Sequence, residues 1–300
     1  GCRGGDGNRR AGARFRRGMS RGLGAGRQDS HHEEGRTLSG MQLTEHVSYE
    51  LRDRIAFVTL TRPEARNALS SAIAEGLVRA VEEIEGNPKV RAVILSGEGP
   101  IFCAGGDLKA FVGGGISADQ GDLVHKGLLS LHRSPAPVIA AIQGGAIGYG
   151  LGLACACDIR LAAEGTRFQA GFTGIGLSPD STTSYFLPRL FGPSVATRLM
   201  LTNLPMDAEE ARSHGFVASV HPPAELTAAA VELAERIARM PSGALRRAKQ
   251  LLQASLFHSA EEQVAMEVGF IFESFATDDF REGVTSFAEK RKPEFDAERQ

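Results

Sequence analysis

Residues 138–157 run for twenty positions without a charge, and five of those positions are glycine. That length would carry a helix across a bilayer, and Gly144, Gly148 and Gly152 fall at the four-residue spacing of a close helix interface. The glycines and Gln143 dilute the hydropathy, however, and the turn signal Gln143-Gly144-Gly145 cuts the stretch in two. It reads as a buried strand over 137–142 followed by a buried helix from about residue 147. A strand apolar on both faces needs layers above and below it, so the rest of the chain must supply a covered sheet.

The chain does supply one. Residues 55–60 (IAFVTL), 90–95 (VRAVIL, apolar except for Arg91) and 159–162 are short, nearly continuous apolar runs that read as strands, and 166–171 is a further extended piece. Ser70 can cap a helix SAIAEGLVRAVEEIEG, stopped by Gly86-Asn87-Pro88, and residues 119–132 are also helical in pattern. Order is expected from about Val47. Beyond Pro193 the pattern is nearly all helix, with a break at 216–220. Alternating strands and helices make this an α/β chain, and no internal repeat interrupts it.

Residues 1–40 stand apart, with nine Arg, eleven Gly and no Lys. Such a segment cannot bury enough apolar surface to offset its ordering entropy, so a disordered tail is expected ahead of a natural start at Met41. It has no apolar core of a secretory signal, and its glycines fit an organelle transit peptide poorly. Nonspecific RNA or phosphate binding is the competing reading of its arginines. Net charge over the chain is only −2, Trp is absent and Tyr numbers 3, which argues against a nucleic-acid or membrane-surface protein. The four cysteines form no C-x-x-C pair, and no H-E-x-x-H occurs. Cys155 and Cys157 read as buried thiols of a reducing, cytoplasmic environment.

Three segments carry chemistry: RPEARNAL (62–69), FCAGGDLKAF (102–111) and QGGAIGYGLGLACACD (143–158). The second and third are glycine-rich turns between a strand and a helix. Free N–H groups at such turns bind anions, and two facing turns can aim two donors at one oxygen. Taken singly, either turn also fits tight packing alone.

Together with the closing EGVTSFAEKRKPEF (282–295), these segments resemble the crotonase (enoyl-CoA hydratase/isomerase) superfamily over roughly residues 45–297. The resemblance implies a ClpP-like spiral of stacked β-β-α units. Residues 45–220 would form the acyl-CoA-binding core and 221–297 a helical trimerisation region, assembling a homotrimer or a dimer of trimers. It implies an acyl-CoA thioester whose oxygen meets the N–H groups of Gly106 and Tyr149, with Asp107 capping the short helix behind the first donor. Ala65, Arg66, Ala68, Ala104, Leu108 and Lys109 would follow the CoA path, and Phe287 and Lys290 would reach a neighbouring subunit's CoA. The Tyr149 ring could narrow the acyl pocket. No metal, redox nucleotide or haem is implied; coenzyme A is part of the substrate.

Departures from the family pattern bear on the reaction. The two glutamates of typical hydratases fall at Gly152 and Phe172, and neither is a carboxylate. Water addition needs a base for the water and an acid for the α carbon, so ordinary hydration is disfavoured. Asp180, in GLSPDSTTSYFLPRL, resembles instead the aspartate of dienoyl-CoA isomerases and of the ring-1,2-epoxyphenylacetyl-CoA isomerase. One carboxylate suffices to take a proton from one carbon and return it to another. An apolar surround beside Phe172 would make it a better base. By residue type alone, Asp180 could equally cap the helix that follows it. An aryl-CoA dehalogenase shares the aspartate, as a nucleophile, with a helix histidine activating water; His125 could stand there, or be a solvated surface residue. The expected activity is thus acyl-CoA isomerisation: a double-bond shift, or rearrangement of an aromatic epoxide-CoA to an oxepin-type thioester. Hydration with an atypical acid, dehalogenation and noncatalytic acyl-CoA binding are the alternatives.

Overall fold

The computed structural model describes residues 40–112 and 118–295. The expected disordered tail, apart from Gly40, lies outside the described residues.

Among the described residues, ten strands form two sheets. β1 (Met41–Thr44), β2 (Val47–Arg52) and β3 (Ile55–Leu60) are an antiparallel meander that opens the larger sheet. β4 (Ala92–Gly97), β5 (Val138–Ile142), β7 (Ile159–Ala163) and β10 (Ser219–His221) continue it in parallel, giving the order β1-β2-β3-β4-β5-β7-β10. β6 (Gly145–Ile147), β8 (Arg167–Gln169) and β9 (Met206–Asp207) make the small second sheet.

Side chains alternate across a strand, so each central strand feeds two cores. Val93 and Leu95 join the core under α1 (Ser71–Gly86) and α3 (Ala118–Arg133), while Ala92 and Ile94 face the opposite layer. That layer is α8 (Leu226–Ala238), which lays Leu226, Ala230, Ala234 and Ala238 on Ile139, Ala141, Leu161 and Ala163. Three alanines at a spacing of four let the helix axis approach the sheet closely.

The charge-free stretch is β5, β6 and α4 (Tyr149–Ala156), and every residue of α4 is buried. Among the described residues, no helix is long and apolar enough to cross a membrane. Order starts earlier than the expected Val47, because β1 pairs with β2. The expected 90–95 strand is shifted to Ala92–Gly97, since Val90 belongs to the turn bonded to Asn87. The first helix past residue 221, α8, packs directly on the sheet. The remaining helices are α9 (Ser242–Ala254), α10 (Ala260–Phe275) and α11 (Asp278–Ala288), after α2 (Leu108–Val112), α5 (Thr183–Phe191), α6 (Pro193–Thr202) and α7 (Ala208–Ser213).

Candidate active site

The loops that leave the C-terminal ends of β3, β4 and β5 are stitched into one wall. Ala104 N–H donates to the Arg66 carbonyl at 3.0 Å, and Leu69 N–H to the Gly105 carbonyl at 2.7 Å. Cys103 N–H donates to Gly145 O, and Ile147 N–H returns to Cys103 O, both at 3.1 Å. The two glycine-rich turns therefore lie side by side. Gly105 is required at this junction: its φ is +97°, and a Cβ there would stand 2.8 Å from the Ile147 carbonyl oxygen. Ligands of open α/β sheets bind at this end of the strands.

Between these turns, α3 and the 171–181 segment is a cavity of about 370 Å³. Of the residues singled out from sequence, Arg66, Ala104, Gly106, Leu108, His125, Tyr149, Phe172 and Asp180 line it. Tyr149 opens α4, so its N–H has no acceptor within the helix. Gly106 precedes α2. Leu69, Val124, Ile147, Ile175 and Leu177 add an apolar lining, of which Val124 and Ile175 lie outside every quoted motif.

Other expected residues lie elsewhere. Ala65 ends a short 3-10 turn, Pro63–Ala65, and Ala68 is buried with its carbonyl accepting from Arg62. Asp107 Oδ1 accepts from Lys109 N–H at 3.1 Å, and Oδ2 pairs with Arg62 at 2.8 Å. Asp107 thus caps α2, and Lys109 meets it through its backbone. Phe287 on α11 is 86% exposed, and Lys290 follows that helix; neither lines this cavity.

Asn67 is a residue that the sequence reading passed over. It is fully buried, with Oδ1 accepting from Arg62 N–H and Nδ2 donating to the carbonyls of Glu98 and Ile101, each at 2.9 Å. It fastens the β3 loop to the β4 loop. Its only signal was a turn-type residue inside the RPEARNAL run.

Three readings of these side chains need correction. Asp180 does not cap α5: the residue before that helix is Thr182, and no side chain caps it. The Asp180 carboxylate instead meets His125 Nε2 at 2.7 Å. Nor is it sunk in an apolar surround; its side chain is 56% exposed, because α5 begins with a tight turn that leaves Asp180 at the rim. The Tyr149 side chain is buried in the core, and its hydroxyl has no partner among the described residues. Burial, with Cys103 nearby, pushes this phenol well above the ordinary tyrosine range.

The family model of enoyl-CoA hydratase/isomerase matches residues 50–298. A short-chain-enoyl-CoA hydratase of Clostridium acetobutylicum is 34% identical over 83% of this chain and 97% of its own. A trans-2-decenoyl-(acyl-carrier-protein) isomerase of Streptococcus mutans is 29% identical over the same shares, 83% and 97%. The crystal structure of an enoyl-CoA hydratase from Bacillus anthracis superposes with a TM-score of 0.81 at 32% identity, covering 84% of this chain and 100% of that one. The fold is therefore the crotonase fold, and the chain belongs to the enoyl-CoA hydratase/isomerase family.

Proposed function

We propose that this chain is an acyl-CoA isomerase that moves a proton with Asp180 while the N–H groups of Gly106 and Tyr149 hold the thioester oxygen. The observation that carries the reading is the charge content of the cavity. Asp180 is its one carboxylate among the described lining residues, and the two places where hydratases carry glutamate hold Gly152 and Phe172.

With a 3-enoyl-CoA, the Asp180 carboxylate takes a proton from the α carbon. The C–H electron pair becomes the new double bond of a dienolate, and negative charge gathers on the thioester oxygen. Fixed N–H donors at that oxygen contribute about 3–4 kcal/mol each in comparable sites. The protonated Asp180 then returns its proton to the γ carbon, the electrons shift back, and a 2-enoyl-CoA remains. No atom is gained or lost, and no cofactor beyond the substrate's own CoA enters. Rearrangement of an aromatic epoxide thioester would use the same oxygen site and the same carboxylate.

Asp180→Asn tests this by proton exchange at the α and γ carbons of a 3-enoyl-CoA in heavy water. Exchange and double-bond migration should vanish together. Hydration is the second reading, favoured by the hydratase names of relatives such as that of Clostridium acetobutylicum. Formation of 3-hydroxyacyl-CoA from a 2-enoyl-CoA, without migration of a 3-enoyl substrate, would select it.

Assembly into a trimer or a dimer of trimers belongs to the same proposal. No residue of α10 is buried, and Val264, Val268, Ile271, Phe272 and Phe275 are all exposed along it. An apolar face of this extent is the mark of an interface. In this proposal Phe287 and Lys290, which do not line this chain's own cavity, serve a neighbour's.

A further inference from the structure

We infer that His125 is the positioning residue for Asp180: it donates the hydrogen bond that holds one carboxylate oxygen and leaves the other free to carry the proton. The inference rests on the isomerase reading. Its basis is a proton count. His125 Nδ1 lies 2.8 Å from the carbonyl oxygen of Gly121, one turn back on α3. A carbonyl only accepts, so Nδ1 bears hydrogen. Nε2 lies 2.7 Å from Asp180 Oδ1. The isomerase reading starts from the Asp180 carboxylate, which only accepts, so Nε2 donates as well and the ring gives one hydrogen from each nitrogen.

The ring is thus oriented by its own helix, and not by the carboxylate it serves. Asp180 needs such a partner. Its side chain is 56% exposed, and Oδ2 has no hydrogen-bond partner among the described residues. Its backbone is set by the Thr183 N–H and hydroxyl, which donate to the Asp180 carbonyl at 3.0 and 2.6 Å. Ser181 and Thr182 follow with φ of 55° and 60°, a left-handed pair that is uncommon for side chains of this kind. The main chain is fixed, and the carboxylate would still rotate without the imidazole. Among the described residues, Arg66 and Tyr149 are the other ionisable ones lining the cavity, and the Tyr149 hydroxyl is buried away from solvent. Asp122 and Lys126 flank His125 on α3, both exposed. None of these has a contact with the Asp180 carboxylate like that of His125.

The test compares double-bond migration of a 3-enoyl-CoA by wild type, His125→Leu, His125→Gln and Asp180→Asn. Misplacing a reacting group by about 1 Å costs roughly 100-fold. His125→Leu should lower kcat by about that factor while KM stays within about threefold. Gln can place an N–H near the position of Nε2, so His125→Gln should recover most of the loss, to within about tenfold of wild type. A fully active His125→Leu, or equal losses in the two His125 variants, overturns the inference. If Asp180→Asn is inactive in that case, the isomerase reading survives it. An active Asp180→Asn overturns both.

Discussion

Gly152 on α4 lies against the backbone of Ser181, so closely that a Cβ at position 152 would stand 2.3 Å from the Ser181 carbonyl oxygen. The resemblance places a hydratase glutamate here. Its absence is built into the packing, because the 180–182 turn that carries Asp180 occupies the space that a side chain would need. Moving the turn to admit a glutamate would move Asp180.

Gly152→Glu is therefore expected to destabilise the protein by about 3 kcal/mol or more, the upper end of overpacking costs, rather than to create a hydratase. Urea denaturation and a hydration assay on a 2-enoyl-CoA check this together. A variant of wild-type stability with new hydratase activity would contradict the packing argument.

This relationship also shows where sequence reading stops. The covered sheet was legible because 138–142 is apolar on both faces, and 55–60 and 159–163 are nearly so, broken only by Thr59 and Arg160, a pattern typical of buried strands. The glycine turns were legible because few other residues open a helix straight from a strand. The pairing of His125 with Asp180 was not, since the two are 55 residues apart and each has a bland reading as a surface helix residue or a cap. Asn67 was missed for a similar reason: its three hydrogen bonds go to backbone, which leaves no pattern in side-chain types. β1 was missed because four residues with mixed exposure carry little periodic signal.

Asp107 and Arg62 join the first two loops, at 2.8 Å and with each side chain about one-fifth exposed. Asp107→Ala removes both this pair and the cap on Lys109 N–H, and should cost about 1–2 kcal/mol. Asp107→Asn keeps a capping oxygen and should cost less. If the cap orders the Gly106 N–H, Asp107→Ala should also lower kcat for the thioester reaction more than Asp107→Asn does. Equal kcat values in the two variants would remove Asp107 from the support of the site.

Lys249 on α9 is a buried cation. Its Nζ lies 2.7 Å from Asp158 Oδ2 and 3.4 Å from the Ala136 carbonyl oxygen, and the same Asp158 oxygen accepts from Val138 N–H at 2.7 Å. This ties α9 to the start of β5. Lys249→Met would strand a carboxylate, at a cost of about 3 kcal/mol. Adding Asp158→Asn should return part of that stability, whereas additive losses in thermal denaturation would show that the pair is not coupled.

Cys103, Cys155 and Cys157 give a pH dependence whose sign can be worked out. Burial pushes each thiol up from 9.0 to about 12 in the folded chain. Between these values the unfolded chain has lost protons that the folded chain keeps, so stability is full below about pH 9 and falls as pH rises towards 12. The slope is about 1.4 kcal/mol per thiol per pH unit within that window. Urea midpoints at pH 8 and 10 should fall by less in Cys155→Ala than in the wild type. An unchanged difference between the two pH values would mean that this thiol does not contribute.

The C-terminal helices carry the last prediction. α10 has no buried residue, yet its capping box at Ser259 and Glu262 is complete, so the helix is well specified while its apolar face is uncovered. Phe257, Phe272 and Phe287 are 60%, 67% and 86% exposed on this part of the chain. An exposed apolar surface of this extent marks an interaction site, and under the proposed assembly a second copy covers it with the matching chemistry. Ile271→Glu with Phe272→Glu should reduce the sedimenting species from three or six protomers to one, with the far-ultraviolet dichroism unchanged. Because these residues lie off the cavity, binding of an acyl-CoA thioester should weaken only to the extent that Phe287 and Lys290 of a neighbour complete the site. A wild-type monomer, or a variant that stays fully assembled, would rule out this face as the contact.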